Sequence, residues 1–213
     1  MIEVVTPDIA FLYRDKLDAM FRLRHRVFKE RLEWDVNSRH ERERDVYDLM
    51  RPVYLLATDD AGRVQGSMRL LPTTGPNMLR DVFPQLMGDQ PLPEHPQIWE
   101  PSRFAVEPGP DGCDRRCTVN GLTGELFAGL AEWALTFGIK EVVPVYDIRI
   151  ARLLPRIGIT PKWVSARQRI GNTVTMAGRF EMSEVVLESI QTACGLRESV
   201  LVNRDALEVQ NAA

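Results

Sequence analysis

Cysteine and histidine are scarce in this sequence, which has only three of each among its 213 residues. It contains neither the His-Glu-x-x-His spacing of metalloproteases nor the Gly-x-Ser-x-Gly turn of many serine hydrolases, so neither class is supported. An odd number of cysteines is typical of a reducing compartment. Cys113 and Cys117 have no further ligands at zinc-binding spacing, and we therefore expect no metal site.

Long apolar runs and a strong excess of one charge are also missing. The formal net charge of −3 is not the basic balance of a protein whose main partner is nucleic acid. No run of about 18 apolar residues and no basic-then-apolar leader is present, so we expect a cytoplasmic protein without a membrane span. A hydrophobic content of 44% suffices for one core. We predict a single domain over residues 1–213, with residues 203–213 frayed.

The most informative feature that is present is a charged residue within an apolar helical stripe. Arg24 lies four residues after Met20 and four before Phe28, which places it on the inward face of a predicted helix. A buried guanidinium requires carboxylates or a ligand anion as partners, and Asp45 and Asp48 are the nearby candidates. The pattern fits a structural ion pair as well as a binding site.

The next segments extend this charged set. Residues 37–45 are densely charged without apolar periodicity, and we predict a mobile loop there. Residues 53–58 and 64–71 read as two strands of a hairpin around a glycine-containing turn. Arg69 is a charge within the second, otherwise apolar strand, which indicates either an exposed sheet face or a second buried site residue.

A third strand, residues 98–106, is interrupted by Glu100, Pro101 and Arg103. Strict alternation puts Glu100 and Arg103 on opposite faces of the sheet. Proline cannot donate to a sheet ladder and is usual at edges and bulges, and a bulge near Pro101 would shift the register enough to bring both side chains toward one site.

The remaining pattern predicts an α/β fold. Its elements are a short helix around residues 78–86, a helix over 120–137, a strand over 141–146, a helix over 148–157, a hairpin of 162–170 and 173–182, and a helix over 184–193. This order describes a three-layer α-β-α sandwich with a mixed sheet. Arg149, Arg152 and Arg156 line one face of the helix over 148–157, which is either a solvated surface or a docking face for an acidic partner.

The assembled residues resemble the signature of N-acyl-homoserine lactone synthases of the LuxI type in residue type, order and spacing. The likeness extends from about Met20 to Gly158 and includes the Arg-Leu-Leu-Pro-Thr-Thr run that begins at Arg69. The residues that carry it are Arg24, Phe28, Trp34, Asp45, Asp48, Arg69, Glu100, Ser102, Arg103 and Phe104.

The resemblance implies a fold similar to the GCN5-related N-acetyltransferases. It also implies a quorum-sensing signal synthase that acylates the amine of S-adenosylmethionine from a thioester of acyl carrier protein or coenzyme A. The carboxylate then closes to a lactone and methylthioadenosine leaves. S-adenosylmethionine is a substrate in this reaction, and no cofactor or metal is implied.

The same resemblance assigns roles to residues. Glu100 is the expected general base, with Asp45 and Arg103 beside it in the catalytic group. The carrier is expected to dock on Arg149, Arg152 and Arg156. The predicted substrate-binding residues are Arg24, Phe28, Trp34, Asp48, Arg69, Ser102, Phe104 and Tyr146, in which the aromatic rings suit the adenosine or the sulfonium cation.

Two positions depart from the usual family pattern, and two other functions remain open. Pro101 occupies a position where the family often has another residue. Tyr146 stands where many members have Thr or a small residue, and its larger side chain predicts a short, branched or aromatic acyl group. One alternative is a coenzyme-A-dependent N-acetyltransferase, but its phosphate-binding turn must precede a helix and residues 168–173 lie between predicted strands. The other is a non-catalytic sensor, which would not need Glu100 beside Arg103.

Overall fold

A nine-stranded mixed sheet forms the centre of the computed structural model, which describes residues 1–107 and 121–202. The strand order is β1-β4-β5-β6-β7-β11-β10, with β8 and β9 also paired to β11, and all pairs are antiparallel except β6 with β7. The strands are β1 Ile2–Val5, β4 Val53–Thr58, β5 Val64–Pro72, β6 Ile98–Val106, β7 Glu141–Val142, β8 Val145–Asp147, β9 Trp163–Val164, β10 Gln168–Ile170 and β11 Thr173–Glu181; β2 Ser38–Arg39 and β3 Arg42–Glu43 pair separately.

Several helices are shorter than the periodicity predicted, because they end in tighter or wider turns. Pro155 ends regular α-helix and leaves a 3₁₀ turn, and Pro84 begins a similar turn after α2. The α-helices are α1 Arg14–Arg24, α2 Met78–Asp81, α3 Gly121–Thr136, α4 Ile148–Leu153 and α5 Glu184–Cys194; a π-helix covers His25–Arg31, and 3₁₀ turns cover Ala10–Tyr13, Val46–Leu49, Pro84–Met87 and Leu154–Ile157.

Alternation along the strands builds one core on each side of the sheet. In β4, Leu55 packs with Trp133 of α3 and Ile190 of α5, whereas its neighbour Leu56 packs with Met20 of α1 on the other side. We call these the α3 face and the α1 face. The predicted three-layer α-β-α sandwich is confirmed.

The sheet splits between β6 and β8. Residues 141–146 were predicted as one strand but form β7 and β8, and the break falls at Pro144, which has no N–H to donate to a ladder. Strand β7 pairs with β6 only at Ile98 and Trp99, while β8 pairs with β11 instead. The β6–β8 wedge, meaning the gap between β6 beyond Trp99 and β8, therefore opens in the middle of the sheet.

Other sequence expectations have mixed outcomes. Strand β1 was not predicted, and residues 37–45 contain β2 and β3 rather than an irregular loop. In the second hairpin only Gln168–Ile170 pairs as a regular ladder around the turn, and Trp163–Val164 forms its own short strand. Since β11 follows that turn, the segment that an N-acetyltransferase would need before a helix is in a hairpin, as predicted.

The predictions for Cys113 and Cys117 and for the tail over 203–213 concern residues outside the described part of the chain. Among the residues that are described, no helix combines the length and apolar character needed to cross a membrane.

Candidate active site

Arg24 is completely buried at the last turn of α1, as its position in the apolar stripe predicted. Its Nε donates to Glu43 Oε2 at 2.5 Å, and its two Nη atoms donate to the carboxylate of Asp48 at 2.7 and 2.9 Å. Burial alone would lower the pKa of Arg24, but the charges of Glu43 and Asp48 outweigh it and raise that pKa. The prediction of Asp48 as a partner is confirmed, whereas Asp45 was wrong as a partner of Arg24 because Glu43 occupies that side of the guanidinium.

Asp45 instead pairs with two other arginines. Arg69 Nη1 lies 2.5 Å from Asp45 Oδ1 and 3.1 Å from Asp48 Oδ1, and its Nε donates to Ser102 Oγ at 3.2 Å. Arg103 Nη2 lies 2.6 Å from Asp45 Oδ2, and Arg103 Nε donates to Glu43 at 3.0 Å. The charge of Arg69 is thus buried rather than on an exposed sheet face.

Three arginines and three carboxylates alternate in this network, which we call the ion cluster: Arg24, Arg69, Arg103, Glu43, Asp45 and Asp48. The formal charges cancel, which is the condition for burying so many ions. Burial would raise the pKa of Asp48, but hydrogen bonding to Arg24 and the charges of Arg24 and Arg69 hold it below its usual range. The hydroxyl of Tyr54 also donates to Asp48 at 2.7 Å.

A short turn presents Asp45 and Asp48 to the cluster. Asp45 caps the 3₁₀ turn Val46–Leu49 by accepting from the N–H of Tyr47, and Asp48 accepts from the N–H of Asp45. This reciprocal capping orients both carboxylates through backbone N–H groups of the turn, independently of the arginines. The side chain of Asp45 is 15% exposed, whereas those of Glu43 and Asp48 are fully buried, so Asp45 is the acid that a ligand can reach.

A bulge in β6 brings Arg103 to the α1 face. The register with β5 runs from Ser67 opposite Ala105 to Arg69 opposite Ser102, so β6 contains one extra residue there. Arg103 has a positive φ of 51°, an uncommon conformation for a residue with a side chain. The predicted bulge is present, but it lies at Arg103 and Phe104, and Pro101 pairs in register with Leu70.

Glu100 is fully buried on the α1 face, beside the ion cluster rather than in it. Its oxygens accept from the backbone N–H groups of Met78 at 3.1 Å and Leu79 at 2.5 Å, which are the first residues of α2. Burial raises the pKa of Glu100 to about 7, and the two N–H groups and the arginines only partly oppose it. A carboxyl group with this pKa exchanges a proton near neutral pH.

The aromatic residues Phe28 and Trp34 stack on each other with centroids 5.3 Å apart and planes 4° from parallel. The π-helix widens the backbone between them, with Leu32 N–H donating to Val27 and Trp34 N–H to Phe28. Phe28 is buried and also has the guanidinium carbon of Arg103 5.8 Å from its centroid. Trp34 is only partly buried, so it is the ring of this pair that a ligand can contact.

The remaining predicted residues lie away from the ion cluster. Phe104 and Tyr146 are on the α3 face, where Phe104 packs on Phe127 with centroids 5.4 Å apart and Tyr146 packs on Phe180 at 5.8 Å. They lie on the two strands that border the β6–β8 wedge. Arg149, Arg152 and Arg156 are exposed on α4 and the turn that follows it.

The sequence reasoning missed Glu43, which joins Arg24 to Arg103. Glu43 lies within the charged run 37–45, where no apolar periodicity marks an inward side. Its burial comes from strand β3, which follows a hairpin that Arg42 fixes to Asp18 with 2.5 and 3.0 Å contacts. The sequence offered no signal for it, because the three identified acids Asp45, Asp48 and Glu100 already equalled the three arginines in number.

The split mixed sheet, the helices on both of its faces and the bulged central strand define the N-acetyltransferase-like fold. A putative N-acetyltransferase from Lactobacillus plantarum has this fold at a TM-score of 0.56, with 14% identity over 85% of this chain and 99% of that chain.

Sequence relationships place the chain more narrowly. The autoinducer synthase family model matches residues 8–190, and an acyl-homoserine-lactone synthase of Agrobacterium fabrum is 40% identical over 189 residues, which are 89% of this chain and 90% of that protein. The solved coenzyme-A-dependent acyl-homoserine lactone synthase BjaI, with SAM and isopentyl-CoA, aligns at a TM-score of 0.82, with 30% identity over 100% of this chain and 99% of that chain. The chain belongs to the autoinducer synthase family and is an acyltransferase that makes acyl-homoserine lactones.

Proposed function

We propose that this protein acylates the amine of S-adenosylmethionine at the ion cluster and then forms the N-acyl-L-homoserine lactone with release of methylthioadenosine. The observation that carries this proposal is the position of Glu100, a buried carboxyl group with a pKa raised to about 7, between the ion cluster and the β6–β8 wedge. A relative solved with SAM and isopentyl-CoA supports the same pair of substrate classes.

Asp45 and Trp34 receive the amino-acid part and the cationic sulfur. Asp45 is the partly exposed acid of the cluster, and Arg69 and Arg103 hold its two oxygens in place. The substrate ammonium pairs with a carboxylate, while the substrate carboxylate requires a guanidinium. The aromatic ring of Trp34 attracts the sulfonium.

Glu100 takes the proton that the amine must lose before it attacks the thioester, directly or through one water. A general base is most efficient when its pKa is near the working pH, which the value of about 7 satisfies. Its anchorage to the N–H groups of Met78 and Leu79 keeps the carboxylate fixed as charge develops. Arg103 holds Asp45 and Glu43 in register beside it.

The acyl chain enters the β6–β8 wedge and meets Tyr146 on the α3 face. The Tyr146 hydroxyl lies so close to Gly178 that a Cβ added there would be 2.8 Å from it, and the ring packs on Phe180. This filled volume favours a short, branched or aromatic acyl group.

The first specificity prediction concerns Tyr146→Thr. Removing the ring vacates volume at the end of the wedge, so we expect the ratio of kcat/KM for a long 3-oxo-acyl donor to that for a short donor to rise about tenfold. Competing the two donors in one reaction and quantifying both lactones measures this ratio. An unchanged ratio, or a long 3-oxo-acyl lactone as the dominant product of the natural protein, contradicts the role given to Tyr146.

The carrier of the acyl group, acyl carrier protein or coenzyme A, contacts the exposed arginines. Within the described residues Arg152 and Arg156 have no ion-pair partner, whereas Arg149 is already paired with Asp147. Two unpaired guanidinium groups on one surface suit either the acidic helix of a carrier protein or the phosphates of coenzyme A.

The double variant Arg152→Glu/Arg156→Glu tests which of the two donors contacts these arginines. We expect kcat/KM with a carrier-protein donor to fall about tenfold or more at low salt, with less loss at high salt, because steering by surface charge is screened. Steady-state kinetics over a salt series with both donors provides the measurement. Arg14→Glu, an exposed reversal on α1 across the sheet, is the control. Full activity of the double reversal with both donors would exclude the docking role.

Product analysis tests the proposed function as a whole. Purified protein is incubated with S-adenosylmethionine and straight, branched and aromatic acyl thioesters on both carriers, and the products are identified by mass spectrometry. An acyl-homoserine lactone with an equal amount of methylthioadenosine supports the proposal. Binding of S-adenosylmethionine without either product from any donor favours a non-catalytic sensor.

A further inference from the structure

Three buried side-chain atoms have no hydrogen-bond partner within the described residues: Asp45 Oδ2, Ser67 Oγ and Trp133 Nε1. Asp45 Oδ2 is in ion-pair contact with Arg103, and a serine hydroxyl can rotate toward several groups. The indole N–H of Trp133 can do neither, because it is a donor only and its direction is fixed by the ring. Trp133 is therefore the group whose missing partner needs a chemical explanation.

The neighbouring Trp99 has an acceptor for its indole N–H, so only Trp133 of this contacting pair lacks one. Trp99 packs edge-on against Trp133 with centroids 5.0 Å apart, and its own N–H donates to the carbonyl of Pro96 at 3.0 Å. Phe137 covers another part of the Trp133 ring at 5.7 Å. The apolar surface of Trp133 is thus well packed while its polar atom is left without an acceptor.

Trp133 lies in the layer that the acyl chain enters. On the α3 face, Trp99 of β6, Val142 of β7 and Phe180 of β11 form one row across the sheet, so Trp99 and Phe180 are about 10 Å apart. Trp133 packs at one end of this row and Tyr146 at the other. Strands β6 and β8 diverge directly beyond the row.

Leaving this N–H unpaired costs folding free energy, since a buried donor loses its hydrogen bond to water. Phenylalanine has no N–H and would avoid that cost, although its smaller ring fills less of the space in the α3 face. A bound substrate that brings an acceptor would restore the missing hydrogen bond. A site with such a buried donor then favours substrates that carry the acceptor over analogues that lack it.

We propose that the indole N–H of Trp133 donates a hydrogen bond to an oxygen on the part of the acyl group remote from the thioester. The acyl substrate of this protein is then one that bears a keto, hydroxyl or other oxygen substituent, rather than a plain hydrocarbon chain. This inference rests on the proposed function, and it adds a polar requirement to the limit on size that Tyr146 sets.

The test compares donors that differ only by the oxygen. Hexanoyl thioester and the oxo-hexanoyl thioesters with the ketone at successive carbons are assayed by lactone and methylthioadenosine formation, with thermal unfolding measured in parallel. We expect at least one oxo donor to have a kcat/KM about tenfold above that of hexanoyl. In Trp133→Phe this preference disappears, so that the ratio of kcat/KM for the oxo donor to that for hexanoyl falls to about one.

Trp99→Phe is the matched control, because it removes a neighbouring indole N–H that already has an acceptor, and it should keep the oxo preference. Equal use of hexanoyl and all oxo donors, or an unchanged preference in Trp133→Phe, overturns the inference while leaving the synthase intact. No lactone from any donor overturns the proposed function and the inference with it. If Trp133→Phe does not fold, the preference of the natural protein among the matched donors decides the question.

Discussion

Arg24→Ala should destabilise the protein by about 3–5 kcal/mol, because it leaves the three carboxylates of the ion cluster with only two arginines to balance them. The hydrogen bonds lost are the smaller part of this effect, and most of it comes from the one buried negative charge that Arg69 and Arg103 cannot neutralise among the three carboxylates of the ion cluster. For a chain of this length the loss lowers Tm on the order of 10 °C. Urea unfolding followed by tryptophan fluorescence measures the change.

Arg22→Ala provides the control for Arg24→Ala. It removes the same side chain two residues earlier on α1, where the arginine side chain is 41% exposed and its Nε lies 3.1 Å from Asp18. We expect less than about 1 kcal/mol there, since water solvates both charges and the exposed pair contributes little. Equal unfolding midpoints for the two variants would show that the ion cluster does not contribute to stability as its burial requires.

Glu100→Gln should lower kcat by about 10²–10⁴-fold, because the isosteric amide cannot accept the proton from the amine. In the natural protein kcat/KM should rise with pH through about 7 as Glu100 ionises, and this rise should be absent in the variant. Initial rates of methylthioadenosine release over pH 5–9 give both profiles.

Glu132→Gln is the control for Glu100→Gln, because it removes a buried carboxyl group that has no proposed role as a base. Glu132 is also buried, in α3, and accepts from the N–H of Val200 and the hydroxyl of Ser199. Its amide variant should keep the pH profile of the natural protein even where it loses stability. If Glu100→Gln lowers Tm without changing the profile, Glu100 serves only to anchor α2.

Glu100 also makes stability depend on pH in a known direction. Its pKa is about 7 in the folded protein, against 4.5 for a glutamic acid in water, so the folded state holds a proton that the unfolded state has lost between these values. The contribution is complete below pH 4.5 and is lost as pH rises through 7, which amounts to roughly 3 kcal/mol. The stability difference between the natural protein and Glu100→Gln should therefore shift in favour of the natural protein on acidification.

Arg24 shows how far local pattern reaches. Its spacing of four residues from Met20 and Phe28 predicted burial correctly, because helical periodicity alone determines which side chains share a face. The identity of its partners was only half predictable. Asp45 and Asp48 are three residues apart in one capped turn, and local structure does not determine which carboxylate faces which arginine.

The bulge illustrates a similar limit. Pro101 indicated an irregular strand, and the register does shift in β6, but at Arg103 and Phe104. A bulge is a property of a strand pair, and its location depends on how β5 packs against β6. The sequence of β6 alone contains no information on that register.

The sequence by itself determined the α/β layers and the buried charge of Arg24, because both follow from local periodicity and residue chemistry. Its resemblance to a family indicated most of the acids, arginines and aromatic rings of the candidate site. Only the tertiary structure decided that Glu43 completes the ion cluster, that β1 pairs with β4, and that Trp133 holds an N–H without an acceptor. Each of these depends on contacts between segments far apart in the chain, where burial is set by the partner and not by the residue's own neighbours in sequence.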